Sequence, residues 1–292
     1  MAQIPLLPSE PFSSPPLLRV AVLYHPKVRP ARAMADQVRE LVAGLGLPIS
    51  ISSVWDSEEI ETLLPRIDVC VVLGGDGSML RVARLTAPHR IPVLGINLGK
   101  LGFLAELEPD ELARRLPALL GGNYWIEKRI MIAAELYREG ALMGRYDCLN
   151  EVVVGRRHLS RVVRIHASID GHGLTTYTAD GVLVATPTGS TAYALAAGGP
   201  ILHPEVRNLV LVPISAHLSL RGPLVLPETT EVRLTVQTDH EAGASFDGQS
   251  DVHLLSHDQV VVRVGPNMAR FVRGQERSYF YHTLVHKLGV RH

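Results

Sequence analysis

The sequence holds only two cysteines, Cys70 and Cys148, each inside an apolar strand-like run. A secreted disulfide framework needs more, so both read as buried, reduced thiols in a cytoplasmic protein. No sign of charge dominates, because Lys plus Arg and Asp plus Glu number 29 each. That balance gives no footprint for nucleic acid and no polybasic attraction to a membrane. No run reaches the roughly 18 apolar residues that span a bilayer. The first eighteen residues contain five prolines and neither lysine nor arginine. The basic start and unbroken apolar stretch of a signal peptide are therefore missing, and 1–18 is expected to be a flexible leader. Also absent are a G-x-G-x-x-G after a strand, a G-x-S-x-G elbow and an H-E-x-x-H pair.

What remains is a globular composition, 46% apolar and 20% charged over 292 residues, enough for one large domain or two ordinary ones. From residue 19 to about 125, short apolar runs alternate with helical spacing. Strands are expected at Arg19 to Tyr24, Ile49 to Val54, Ile67 to Leu73 and Ile91 to Ile96. Helices are expected over Ala31 to Leu45, from the acidic start at Asp56, and over Met79 to Leu85. This order predicts a parallel sheet covered on both faces. From 126 to 274, runs rich in Val, Ile, Leu and Thr recur between Gly, Asp, Asn and Pro turns, as at Asn150 to Val154, Val162 to Ile169 and Val260 to Val264. A mostly antiparallel β domain is expected there, and the last stretch, 275–292, is expected to be a helix packing back on the first domain.

Four segments carry chemistry. Gly74-Gly75-Asp76-Gly77-Ser78 follows the third strand and precedes a helix. Glycines there let backbone N–H groups approach phosphate oxygens at a helix start, and Asp76 could orient or deprotonate an attacking hydroxyl. The same residues would also serve a tight turn with Asp as a helix cap. Gly95-Ile96-Asn97-Leu98-Gly99-Lys100-Leu101-Gly102-Phe103 follows the fourth strand. It falls one residue short of a P-loop and has Leu101 where Ser or Thr is required, so it reads as a structural loop or as the second wall of a crevice, with Phe103 as a stacking face. Asn150-Glu151 opens a strand, and an amide beside a carboxylate suits ribose hydroxyls as well as an ordinary strand edge. The run Thr186-Pro187-Thr188-Gly189-Ser190-Thr191-Ala192-Tyr193, after Ala179-Asp180-Gly181, places hydroxyls and free N–H groups at a helix start, which suits phosphate or base edges as well as a capped helix. Thirteen histidines are scattered without metal-ligand spacing. Only His217, in VPISAHLSL, is assigned to the site.

In this order and spacing GGDG, LGKLGFL, the Asn150-Glu151 pair, TPTGSTAYALAAGGP, Asp247-Gly248-Gln249 and the FYHTLVHKLG tail resemble the NAD kinase family over about residues 18 to 290. GGDG is shared with diacylglycerol-type lipid kinases, whereas TPTGSTAY is specific to this family. The resemblance implies a Rossmann-like α/β domain followed by a β-sandwich-like domain, the NAD kinase and diacylglycerol kinase type. It implies phosphoryl transfer from ATP, or inorganic polyphosphate, to the adenosine 2′-hydroxyl of NAD, with magnesium or another divalent metal held without a dedicated protein cage. Asp76 would be the base or orienter. Gly74, Gly75, Gly77, Ser78 and Arg81 would hold phosphates. Phe103, Asn150, Glu151, Asp180, Thr188, Thr191, Ala192, Tyr193, His217 and Gln249 would hold NAD. A homodimer or homotetramer is implied as well. Two positions depart from many members. Ala196 replaces a serine, and Thr178 replaces an arginine or lysine, which leaves donor preference open. A lipid kinase, or a non-catalytic NAD(P) sensor with no need of Asp76, are the competing readings.

Overall fold

The computed structural model describes residues 12–99, 102–157, 162–216, 220 and 222–289. The chain forms β1 (Val20–Tyr24), α1 (Arg29–Gly44), β2 (Ile49–Ser53), α2 (Ser57–Leu63), β3 (Val69–Gly74), α3 (Asp76–Thr86), β4 (Val93–Asn97) and α4 (Leu112–Leu120). It continues with β5 (Trp125–Arg138), β6 (Ala141–Cys148), β7 (Glu151–Arg156), β8 (Val163–Ile169), β9 (His172–Ala179), β10 (Gly181–Ala185) and α5 (Tyr193–Ala196). It ends with β11 (Asn208–Ile214), β12 (Leu224–Pro227), β13 (Val232–Gln237), β14 (Ala242–Phe246), β15 (Ser250–Leu254), β16 (Gln259–Arg273) and α6 (Tyr279–Leu288). Two compact units result, one made of the chain up to Glu127 together with that from Arg270 on, the other of Lys128–Ala269.

In the first unit the strand order is β2-β1-β3-β4, followed by the end of β16, all parallel. Every residue of β3 is buried, as the unbroken run VCVVLG demands of a central strand. Helix α1 starts at a proline in its first turn, buries Ala31, Ala35, Val38 and Val42, and stops before Gly46 at φ +74°. Asp56 caps α2 by accepting the Glu59 N–H at 3.0 Å. Where prolines suggest a flexible leader, the described stretch from Phe12 to Leu18 is held. The Ser14 N–H donates to the Gly122 carbonyl at 2.9 Å, the Tyr124 hydroxyl to that of Pro15 at 2.7 Å, and the Leu17 N–H to that of Leu120 at 2.8 Å. Composition does not reveal such partners, which lie more than a hundred residues away.

The second unit is a β-sandwich. One antiparallel sheet runs β12-β11-β10-β7-β14-β15. In the other, β9, β8, β13 and β16 are antiparallel neighbours, and the β5–β6 pair lies beside β16. Alternate residues fill the core between them: Val152 and Val154 from β7, Val182 and Val184 from β10, Ile165 and Ala167 from β8, Val232 and Leu234 from β13. Strand β10 is buried on both faces, because Leu183 and Ala185 pack outward against Ala194 of α5. The strand expected over Val260 to Val264 runs on through Gly265-Pro266-Asn267 to Arg273. Those three residues read as a turn, but pairing at both ends (Val260–Val262 with β13, Phe271 with β4) overrides the local signal.

Candidate functional site

Strand order in the first unit reverses between β1 and β3, which makes their carboxyl ends the switch point at which open α/β sheets bind ligands. There Gly74 ends β3, Gly75 is the N-cap of α3, and Asp76 is its first residue. The helix therefore begins inside the glycine loop, earlier than the apolar pattern from Met79 suggests. Asp76 does not cap it: no side-chain cap bond exists, and the carboxylate instead accepts the backbone N–H of Phe103 at 3.0 Å and of Leu104 at 3.3 Å. The two glycine-rich loops are thereby one structure. A Cβ on Gly102 would sit 1.9 Å from Asp76 Oδ1, and one on Gly74 would sit 2.4 Å from Ser78 Oγ, so both contacts require glycine. Ser78 Oγ is buried without a partner in the first turn of α3, where helix N–H groups favour an anion. Beside Gly102 opens a cavity of about 560 Å³ of mixed lining, with Asn97, Glu108 and His286 beside Ala105 and Leu107.

Two residues assigned to this site are engaged elsewhere. The Arg81 guanidinium donates to the Val54 carbonyl at 2.8 Å and to Ser57 Oγ at 2.9 Å, and lies over the Trp55 ring. The Phe103 ring packs against Phe280, with the Lys287 ammonium 4.3 Å from its centroid. It is the Phe103 backbone, not its ring face, that meets Asp76.

In the second unit the organising residue is Asp247, which sequence reading does not assign to the site. Its carboxylate accepts the N–H groups of Leu149 at 2.8 Å, Asn150 at 2.8 Å and Glu151 at 3.1 Å. Asp247 and Gly248 have φ +53° and +62°, the tight hairpin turn that an Asp-Gly pair favours between β14 and β15. That Asp-Gly signal is legible; the reach of its carboxylate across 97 residues is not. Gln249 closes the same turn, its N–H donating to the Phe246 carbonyl at 3.0 Å. Glu151 Oε2 is buried without a partner. Burial, and secondarily the charge of Asp247, pushes the Glu151 carboxyl up to about 8. Near neutral pH it therefore holds its proton and offers a hydroxyl donor as well as an acceptor.

The Thr186 to Thr191 loop docks on this pair. The Thr186 N–H donates to the Asn150 carbonyl at 2.8 Å, its hydroxyl to that of Leu149 at 2.5 Å, and a Cβ on Gly189 would meet the Asn150 oxygen at 2.3 Å. Several hydroxyls here build the loop itself: Ser190 donates to the Pro187 carbonyl at 2.6 Å and Thr191 to that of Thr188 at 3.2 Å. Thr188 Oγ1 accepts from Arg129 at 3.4 Å. Ala192 is half-buried, and Tyr193 is 44% exposed at the start of a helix only four residues long. The structure thus brings Asn150, Glu151, Thr188, Thr191 and Gln249 to one end of β7 and β10. Asp180 lies at the other end of β10, about 17 Å away for five residues, and pairs with Arg156 at 2.9 Å. His217 lies outside the described residues.

An acid in a glycine loop at a helix start and a sheet switch point is the arrangement expected of a phosphotransferase that acts on a nucleotide. Comparison with known proteins narrows it. The model of the ATP-NAD kinase N-terminal domain matches residues 31–124, and that of the C-terminal domain matches 149–274. An NAD kinase from Chloroflexus aggregans is 42% identical over 272 residues, 93% of this chain and 99% of that protein. One from Heliobacterium modesticaldum is 43% identical over 254 residues, 86% and 90% of the two chains. Among solved structures, yeast NADH kinase complexed with NADH superposes with a TM-score of 0.80 at 26% identity, over 94% of this chain and 89% of that one. An NAD kinase from Archaeoglobus fulgidus in complex with ATP shares the fold at 24% identity and a TM-score of 0.74, over 91% and 98% of the two chains. The chain belongs to the NAD kinase family.

Proposed function

We propose that this chain transfers the terminal phosphoryl group of ATP to the adenosine 2′-hydroxyl of NAD, giving NADP and ADP. The observation that carries the reading is the Asp76 carboxylate, fixed by two backbone N–H groups at the first position of α3. As the new oxygen–phosphorus bond forms, Asp76 orients the hydroxyl and takes its proton, while the bond from the terminal phosphorus to the bridging oxygen breaks and ADP leaves. Gly74, Gly75, Gly77 and Ser78 cradle phosphate, and the unpartnered Ser78 hydroxyl supports that role. Asn150 and the protonated Glu151 recognise ribose hydroxyls. Thr188, Thr191, Ala192, Tyr193, Asp180, His217 and Gln249 are assigned to the rest of NAD, with Phe103 and Arg81 acting through the packing just described.

Among the described residues no group of three or more His, Cys, Asp or Glu is arranged to hold a metal ion. Magnesium bound mainly through substrate phosphates needs only one or two carboxylates, and Asp76 fits that demand. When bound, the ion would neutralise charge on the transferring phosphoryl group. Polyphosphate as an alternative donor rests on Thr178, where many members carry a cation. A homo-oligomer is supported by the separation of Asp180 from the Thr186 loop along β10, which lets a second copy complete a site. A cytoplasmic location is supported by two buried free thiols. No helix among the described residues is long and apolar enough to cross a membrane. The test is NADP formation by wild type and by Asp76→Asn with ATP and with polyphosphate. Diacylglycerol phosphorylation in place of NAD phosphorylation would overturn the reading.

A further inference from the structure

Arg273, at the end of β16, has no exposed surface. All five of its N–H donors are aimed at acceptors. Nε and one Nη2 hydrogen meet Glu127 Oε2, each at 2.9 Å. Nη1 reaches the carbonyls of Leu104 at 3.1 Å and Ala105 at 3.0 Å, and Nη2 reaches that of Phe103 at 3.4 Å. Glu127, also buried, is tied by its other oxygen to the Tyr279 hydroxyl at 2.6 Å. The segment 103–105 is therefore held on both edges. Its carbonyls point to Arg273, and the amides of Phe103 and Leu104 point to Asp76.

We infer that Arg273 is a positioning residue for phosphoryl transfer: through the 103–105 segment it fixes where the Asp76 carboxylate lies. The proposal rests on the reading of Asp76 given above. A buried ion pair is a poor device for stability alone, since apolar residues of similar volume serve as well or better. A planar fork that engages three successive carbonyls sets the register of a loop, which neither lysine nor an apolar side chain does. Tyr279 extends the arrangement to the first turn of α6, because its hydroxyl orients Glu127 and its ring lies 4.7 Å from the guanidinium carbon.

Arg273→Lys keeps the charge and removes the fork. Expected are a kcat lowered about tenfold or more, with KM for NAD and for ATP within about twofold of wild type. Amide exchange at Phe103 and Leu104 should accelerate, while Val71 and Val72 of β3 keep wild-type protection. Tyr279→Phe, a milder change that decides the matter if Arg273→Lys does not fold, should show the same pattern with a kcat loss of about two- to fivefold. A folded Arg273→Lys with wild-type kcat, or exchange that rises equally in β3, overturns the role of Arg273; so does a Tyr279→Phe enzyme without the selective change. An Asp76→Asn enzyme with wild-type kcat would sink the reading of Asp76 itself. A crippled Asp76→Asn beside an unaffected Arg273→Lys would sink only the role of Arg273.

Discussion

The carboxylate of Asp76 accepts the backbone N–H of Phe103 at 3.0 Å, joining residues 27 apart in sequence and making the GGDG loop and the loop after β4 a single unit. The acid is thus fixed before any substrate arrives. Pre-organisation of this kind is what phosphoryl transfer asks of a protein, since the chemistry is mostly placement and electrostatics.

Gly102→Ala should damage turnover more than binding. The added Cβ would lie 1.9 Å from Asp76 Oδ1, and that oxygen is held by backbone rather than free to swing away. Overpacking of this kind costs about 1–3 kcal/mol, and a displaced acid should lower kcat by about tenfold or more. Steady-state kinetics and urea unfolding of the variant check both. A kcat equal to wild type would show that the contact does not set the position of Asp76.

Asp247→Ala should raise KM for NAD several-fold. It strands three N–H groups, those of Leu149, Asn150 and Glu151, and loosens the loop that presents Asn150 and Glu151, the pair proposed to bind ribose. Stranded donors cost about 1–3 kcal/mol each when buried, so urea unfolding should also show a large loss. Unchanged KM and stability would remove Asp247 from the site.

Glu151 makes stability depend on pH in a defined direction. Its folded carboxyl titrates at about 8, above the ordinary 4.5. Across that window the folded chain binds more protons than the unfolded one, so stability falls as pH rises. The contribution is full below the unfolded value and lost through the folded one. Glu151→Gln should flatten the decline of the thermal midpoint between pH 5.5 and pH 8.5, the difference amounting to on the order of a few kcal/mol. Parallel curves for the two proteins would contradict the elevated titration.

Tyr193→Ala should raise KM for NAD with little change in stability. The side chain is 44% exposed, and surface truncations away from special contacts change stability by within about 0.5 kcal/mol. An unchanged KM would take Tyr193 out of the substrate site.

Much of the candidate site is legible in sequence because its residues are contiguous. GGDG, Asn150-Glu151 and the Thr186 to Tyr193 run each sit in one short window, and the strands before them declare themselves by unbroken apolar runs such as VCVVLG. What sequence withheld were partnerships at long separation: Asp76 with Phe103, Asp247 with Asn150, and Arg273 with Glu127 across 146 residues. Such pairs leave no local pattern, because the backbone atoms that accept or donate have no side-chain identity. For the same reason Phe103 looked like a stacking ring, whereas α6 covers it with Phe280. The resemblance assigns Arg81 to phosphates; in the structure the Val54 carbonyl and the Trp55 ring engage its guanidinium.

The most direct measurement is a coupled assay of purified protein with NAD, magnesium and ATP, in which an NADP-specific dehydrogenase reports NADP. NADP is expected from wild type and at least about a hundredfold less from Asp76→Asn, with NAD affinity retained. NADP formation by Asp76→Asn at the wild-type rate, or none from a folded wild-type protein that binds NAD, would contradict it.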